Sequence, residues 1–396
     1  MLESERNIEV SIIIPSYNRY PLNLFTLYSL ENQTFEHSKM EVIFIDDAST
    51  DQTQEELGIY QPSYHYKYIR NEQNMGRARV RNLGIQSAKG NILIFLDAEM
   101  ICEPDFVINH YQYHQNNQKA IITGVMHSKN IISCIFPETK KSTLNMLAAN
   151  RNTKLPNRIE NYNPSSNTPY PLLSKLDISN QNYKDWFIVR DSWYQHIVQN
   201  YGNEFDGFQF PWMAFLTGNV SITKDFIVEA GMFDEDFIKY GYEDWELGYR
   251  LYKLGAKYFA GDNLITYHQE HPIGESNWSE AIENFQLFTS KHQDVEVMIL
   301  GIELAKITDF FTMNTILYEY NQLIRNNELK GFKENMVDLL TAINLLLQID
   351  IRHIKILEAA GYGKDKVNKL VKDIQSLKKS NKYINLIEFL EKLIKS

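Results

Sequence analysis

The chain has 396 residues, 43% of them hydrophobic and 23% charged, a balance that suits a globular protein and excludes disordered and fibrous classes. A formal net charge of −10 argues against nucleic acid as a partner held by a dominant positive field. Only two cysteines occur, Cys102 and Cys134, which excludes a disulfide framework and a CxxC metal knuckle and fits a reducing compartment.

At the start of the chain, MLESERNIEVSIIIPSYN shows no basic region followed by a long apolar segment. Its apolar run Val10–Pro15 is too short to cross a bilayer, so a cytoplasmic location is expected. Short β-branched runs then alternate with helical patterns, as in βαβ units that build a mostly parallel sheet. Val10–Ile14, Glu41–Ile45, Tyr66–Ile69 and Ile92–Leu96 are the expected strands. Leu22–Leu30 and Arg77–Ala88 carry apolar residues at helical spacing, and the run from Ala48 to Thr53 offers caps for a short helix. Such strands deliver their carboxyl ends to one rim, where open α/β sheets bind ligands. The stretch from about Lys129 to Phe210 is rich in Asn, Pro, Ser and Tyr, with little periodicity around residues 152–167, and reads as a functional or mobile insertion. From about Trp278 the pattern becomes helical, with apolar faces at 336–347 and 383–394 opposite abundant Lys and Glu. The organisation expected is an α/β domain over residues 1–275, with halves near 1–125 and 126–275, followed by a helical domain over 276–396.

Several acidic residues fall where chemistry is expected. Asp97 and Glu99 follow the apolar run ILIFL, and in an extended chain side chains at i and i+2 leave one face with Cα atoms about 7 Å apart. A buried strand thus aims two carboxylates at the rim, where they suit a divalent cation or a ribose and its diphosphate. Asp46 and Asp47 end the second strand; neighbouring residues point to opposite faces, so one is expected to meet a ligand and the other to cap the turn. Glu243 and Asp244 open an amphipathic helix, where the helix dipole favours acids and capping competes with catalysis. His268 and His271 stand close together, and imidazole accepts ions such as Mn2+. Trp212 and Trp245 are candidates both for stacking on sugar rings and for core packing.

The segments VSIIIPSYNR from Val10, FIDDASTD from Phe44, NMGRARVRNLGI from Asn74 and FLDAE from Phe95, in that order, resemble the family 2 glycosyltransferases, which have the GT-A fold. GNVSI from Gly218, GMFDEDF from Gly231 and GYEDWELGYRL from Gly241 resemble the acceptor-side segment of chondroitin-polymerase-type and galactosyltransferase enzymes. The resemblance covers about residues 8–275 and implies a Rossmann-like domain that transfers a sugar from a UDP-sugar donor with Mn2+ or Mg2+ as cofactor. It implies that Pro15 and Tyr17 line the uracil pocket, that Asp47 hydrogen-bonds the base, and that Arg77 or Arg81 lies near the base or diphosphate. Asp97 would hold ribose and metal, Glu99 the metal, and His268 the metal or diphosphate. Asp244 would be the general base and Glu243 would bind an acceptor hydroxyl. Glu99 stands where the family usually has Asp, which bears on the geometry of the metal.

These roles agree with an inverting displacement, in which the base sits opposite the leaving diphosphate. The arginines of GRARVR, at a helix start, add positive charge on the diphosphate side. A nucleotidyltransferase would instead show a Gly-rich phosphate loop with Lys, which PSYNR is not. A noncatalytic sugar- or peptide-binding scaffold is the reading from a different class. The acceptor expected is a bacterial surface polysaccharide or related glycan, with a peptide side chain as the alternative. A lipid-linked acceptor would bring the protein to the inner face of the membrane. Homodimerisation, acceptor positioning and membrane contact are open roles for the helical domain, whose Lys-rich run spans 364–382.

Overall fold

Runs of β-branched residues without polar alternation bury both faces, as the interior strands of a parallel sheet require. The computed structural model describes residues 8–115, 117, 119–149, 158–159, 161–188, 193–272, 277–329, 331–351 and 355–395. In it the four N-terminal runs form β1 (Val10–Ser16), β2 (Met40–Asp46), β3 (His65–Arg70) and β4 (Ile92–Leu96), with β2 and β4 buried throughout. Short strands follow as β5 (Met100–Cys102), β6 (Ala120–Thr123), β7 (Lys129–Ile131), β8 (Cys134–Ile135), β9 (Tyr170–Pro171) and β10 (Phe187–Ile188). The last three are β11 (Asn219–Thr223), β12 (Lys257–Ala260) and β13 (Thr266–Gln269).

Seven of these make the central sheet in the order β12-β6-β11-β4-β1-β2-β3. Pairing is parallel except at β11, which runs antiparallel to both β4 and β6. Because β1 has β4 on one side and β2 on the other, successive crossovers leave in opposite directions from it, and the rim above β1 and β4 is the switch point where such sheets bind ligands. The helix Arg77–Ser87 lies close on β1: a Cβ at Gly84 would stand 2.4 Å from Ile13 Cγ2.

A second sheet, in the order β10-β7-β13-β5, sets β13 antiparallel to β5 with His268 opposite Met100. The backbone N–H of Gln269 donates to the carbonyl of Glu99 at 2.9 Å, which ties the end of the β4 segment to β13. Described residues of the Asn- and Ser-rich middle of the chain help build a packed cluster. Tyr183 and Trp186 are buried in one apolar cluster with Ile101, Ile131 and Tyr267, and helix Lys141–Ala149 contributes Leu147 to it. Of the low-periodicity stretch, residues 152–157 and 160 lie outside the described residues, as do residues 1–7 of the N-terminal segment.

The chain divides into two compact units. One comprises Met1–Asp206, Pro211–Ile238 and Glu243–Glu275; the other comprises Gly207–Phe210, Lys239–Tyr242 and Ser276–Ser396. The two short strips join the C-terminal unit through side chains: Asn284 donates to the carbonyls of Lys239 and Gly241, and Phe208 and Phe210 pack on Phe310. Within that unit the helices Phe332–Gln348 and Ile384–Lys395 bury the apolar faces read from the sequence, and the helix Phe310–Arg325 buries Met313, Ile316, Leu317 and Leu323. The buried Glu319 carboxylate caps the start of the last of these, accepting from the backbone N–H groups of Asn385 and Leu386 at 3.3 and 2.7 Å. Among the described residues no helix is long and apolar enough to cross a membrane.

Candidate functional site

The carboxyl ends of β1, β2 and β4 bring most of the expected residues to one rim. Pro15 lies within β1, opposite Ile45 of β2, and Tyr17 just beyond is 46% exposed. Asp47 is buried and fully engaged within the protein. Its carboxylate accepts from Asn71 Nδ2 at 2.7 Å and from the backbone N–H groups of Met75 and Gly76 at 2.9 and 3.1 Å. It therefore moors the loop that leads to Arg77, where the helix begins. Gly76, at φ 85°, makes the turn, and a Cβ there would meet the carbonyl of Ile238 at 3.3 Å. Asp46 also faces inward, accepting from Ser49 N at 2.8 Å and Tyr68 Oη at 2.7 Å and pairing with Arg70.

Arg81, one helical turn beyond Arg77, is 3% exposed and gathers three carboxylates. Nη1 lies 2.9 Å from Glu243 Oε1 and 3.3 Å from Asp244 Oδ1, while Nη2 lies 3.9 Å from Asp97 Oδ1. The guanidinium also sits over the Phe233 ring, 5.4 Å from its centroid. Although burial works against its charge, Asp244, Glu243 and Asp97 hold Arg81 firmly protonated. Burial pushes the Asp244 carboxyl up to about 6; Arg81 opposes the rise and Glu243 adds to it. Asp97 is raised as well, first by burial and then by the neighbouring Glu99.

Asp244 is held by one oxygen. Its Oδ2 accepts from Thr217 N at 3.1 Å and Thr217 Oγ1 at 3.0 Å, whereas Oδ1 carries no hydrogen bond and touches only the Arg81 ion pair. Thr217 precedes Gly218, where a Cβ would stand 3.2 Å from Asp97 Oδ2, so the absence of a side chain lets Asp97 come close to this segment. Glu243 Oε2 is likewise buried without a hydrogen bond. Two carboxylates from the helix Glu243–Lys253 thus meet one from the end of β4 across a single buried cation.

Glu99 faces a different group. Its Oε2 lies 3.4 Å from Arg19 Nε and its Oε1 lies 3.1 Å from His271 Nε2. Burial opposes ionisation, yet the His271 hydrogen bond and the Arg19 charge hold the Glu99 carboxyl down at about 2. His268, on β13, is shifted down by burial. One ligand atom from each of Glu99, His268 and His271 falls within 4.8 Å of the others. A carboxylate and two imidazoles converging in this way fit a divalent cation.

Asp97 stands between two groups: it lies 3.9 Å from Arg81 and is close enough to Glu99 and His268 to feel their charges, while Glu99 and His268 also meet His271. Arg19 and Thr217 had no role assigned from sequence, and His271 was named only beside His268 as a candidate to accept an ion. Arg19 and Thr217 border recognised motifs, and His271 is three residues past His268, but only the fold shows what each touches. Trp212 is 0% exposed and packs edge-on against Trp245 and Tyr249, so it belongs to the core and does not stack on a ligand.

Comparison with known proteins agrees with this fold. Residues 11–171 match the family described as Glycosyl transferase family 2. An uncharacterized glycosyltransferase of Bacillus subtilis (strain 168), YfnE, is 29% identical over 75% of this chain and 74% of its own length. The chondroitin synthase of Escherichia coli is 30% identical over 69% of this chain, a match that spans only 36% of that longer protein. The crystal structure of S. aureus TarS 1-349 in complex with UDP superimposes with a TM-score of 0.50 at 13% identity, covering 97% of this chain and 90% of that one. With four motifs in order on a mostly parallel sheet and a family model matching residues 11–171, the chain contains a glycosyltransferase family 2 domain on a GT-A fold.

Proposed function

We propose that the protein transfers a hexose or N-acetylhexosamine, with inversion, from a UDP-sugar to a hydroxyl of a surface polysaccharide or related glycan. The observation that carries this reading is the Asp244 carboxylate, held by Thr217 at Oδ2 and paired with Arg81 at an Oδ1 that carries no hydrogen bond, on a different segment from Asp97 and Glu99. In the reaction the acceptor hydroxyl gives its proton to Asp244 Oδ1 while its oxygen attacks the anomeric carbon. The bond from that carbon to the diphosphate oxygen breaks on the opposite face, and its electron pair leaves with UDP. Glu243 Oε2 is oriented by Arg81 to accept from a neighbouring acceptor hydroxyl. Asp97, Glu99 and His268 would hold the Mn2+ or Mg2+, which when bound stabilises the charge of the leaving diphosphate. Pro15, the exposed Tyr17, Asp47 and Arg77 form the nucleotide side, with Asp47 acting both on the base and on its own loop. The relation to a chondroitin synthase supports a glycan acceptor.

The test is UDP release from a panel of UDP-sugars, with and without Mn2+, for the wild type and Asp244→Asn. Metal-dependent release from one donor, reduced roughly 10²- to 10⁴-fold in the variant, is the expected result. Equal release by Asp244→Asn would remove Asp244 as the base, and no release or binding of any UDP-sugar would overturn the donor assignment.

A further inference from the structure

We infer that His271 is a direct ligand of the divalent cation, forming with Glu99 and His268 a two-imidazole, one-carboxylate set that takes Mn2+, Co2+ or Zn2+ in preference to Mg2+. The inference deepens the metal-assisted reading above and rests on it for the role of the cation, though not for its binding.

The neighbours of the His271 ring fix where its proton sits. Nδ1 lies 2.8 Å from the carbonyl oxygen of Pro272, which can only accept, so Nδ1 carries the hydrogen. In the neutral ring that leaves a lone pair on Nε2, and Nε2 lies 3.1 Å from Glu99 Oε1, another acceptor. In the metal-free protein a second ring proton closes this contact as a hydrogen bond to Glu99, and a divalent cation between Nε2 and Oε1 would take that proton's place. A ring nitrogen that donates to a backbone carbonyl while the other points at a carboxylate is the orientation in which metal-binding histidines are usually held.

Distances agree. With metal–ligand bonds of about 2.1 Å, two neighbouring ligand atoms stand about 3.0–3.4 Å apart, and the Nε2 to Oε1 separation falls in that range. His268 brings its nitrogen within 4.8 Å of both, from a strand whose register against β5 is set by the His268–Met100 pairing. Arg19 occupies the other Glu99 oxygen, so the carboxylate offers Oε1 alone and is fixed in orientation while doing so. The extra methylene of Glu99 carries its carboxylate to the histidines, while Asp97 faces both Arg81 and this group. Two nitrogen donors favour later first-row ions over Mg2+, which prefers oxygen and retains its water.

The experiment is titration of metal-free protein with Co2+, followed by visible absorption, with and without UDP, and repeated against excess Mg2+. Wild type should bind Co2+ with the intensified spectrum of nitrogen ligation and resist displacement by a hundredfold excess of Mg2+. His271→Ala and His271→Gln should bind at least about tenfold more weakly, with the thermal unfolding of the metal-free protein unchanged. Wild-type affinity in both variants, or a wild type that binds no Co2+ in either condition, would overturn the assignment. So would ready displacement by Mg2+. If Co2+ binds as expected but no UDP-sugar is turned over, the cation site stands and the transferase reading of it fails.

Discussion

Replacing Arg81 by Met tests the central electrostatic feature of the site. The substitution keeps much of the aliphatic stem over Phe233 and removes the single cation shared by Glu243, Asp244 and Asp97. Glu243 is 4% exposed and already has one oxygen without a hydrogen bond, so little water reaches the charge that is left. Removing one partner of a buried ion pair costs about 3–5 kcal/mol. At roughly 2–4 °C per kcal/mol for domains of about 150–250 residues, melting should fall by about 6–20 °C. Differential scanning calorimetry from pH 5 to 8 adds a second readout. The deficit should be largest at pH 8 and shrink as the pH falls, because protonating Asp244 removes one of the repelling charges. Adding Glu243→Gln to the variant should restore part of the loss for the same reason. A melting temperature within about 1 °C of wild type, independent of pH, would refute the reasoning, because it would mean that the carboxylates are solvated without Arg81.

The rate of UDP release should rise with pH through about 6 as Asp244 ionises, and a rate flat from pH 5 to 8 would argue against Asp244 as the base. The sign for stability is opposite: Asp244 is raised above its ordinary value of 3.8, so its contribution is fully favourable below that pH and is lost as the pH rises through about 6. Gly84→Ala, which in an exposed helix would stabilise, should here cost about 1–3 kcal/mol in urea unfolding, because its Cβ would enter the space of Ile13. Glu319→Ala should destabilise the C-terminal unit by about 1–3 kcal/mol through the uncapped N–H groups of Asn385 and Leu386; unchanged hydrogen exchange at those amides would contradict this.

Local pattern was enough to read the parallel core. The runs at Val10, Glu41, Tyr66 and Ile92 lie within β1, β2, β3 and β4; for β1, β2 and β4 an uninterrupted apolar run has few other ways to bury itself, whereas β3 is a half-exposed edge strand. The same logic placed Asp97 and Glu99 at the ligand-binding rim. It could not say which partners those two carboxylates meet. Arg81 reaches Glu243 across 162 residues of sequence and His271 reaches Glu99 across 172. Those meetings depend on β11 entering antiparallel beside β4, and on the β13 register against β5, neither of which has a local signal. Asp47 shows the same limit, since its loop of bound N–H groups comes from residues beyond the next strand. By itself the sequence determined the four N-terminal strands, the helices between them, the helical C-terminal segments and which acids stand at strand ends, since these follow from periodicity and burial. Only the tertiary structure decided how those acids divide between a buried arginine and a pair of histidines, because charge pairing acts through space and side chains can converge only once distant strands are in register.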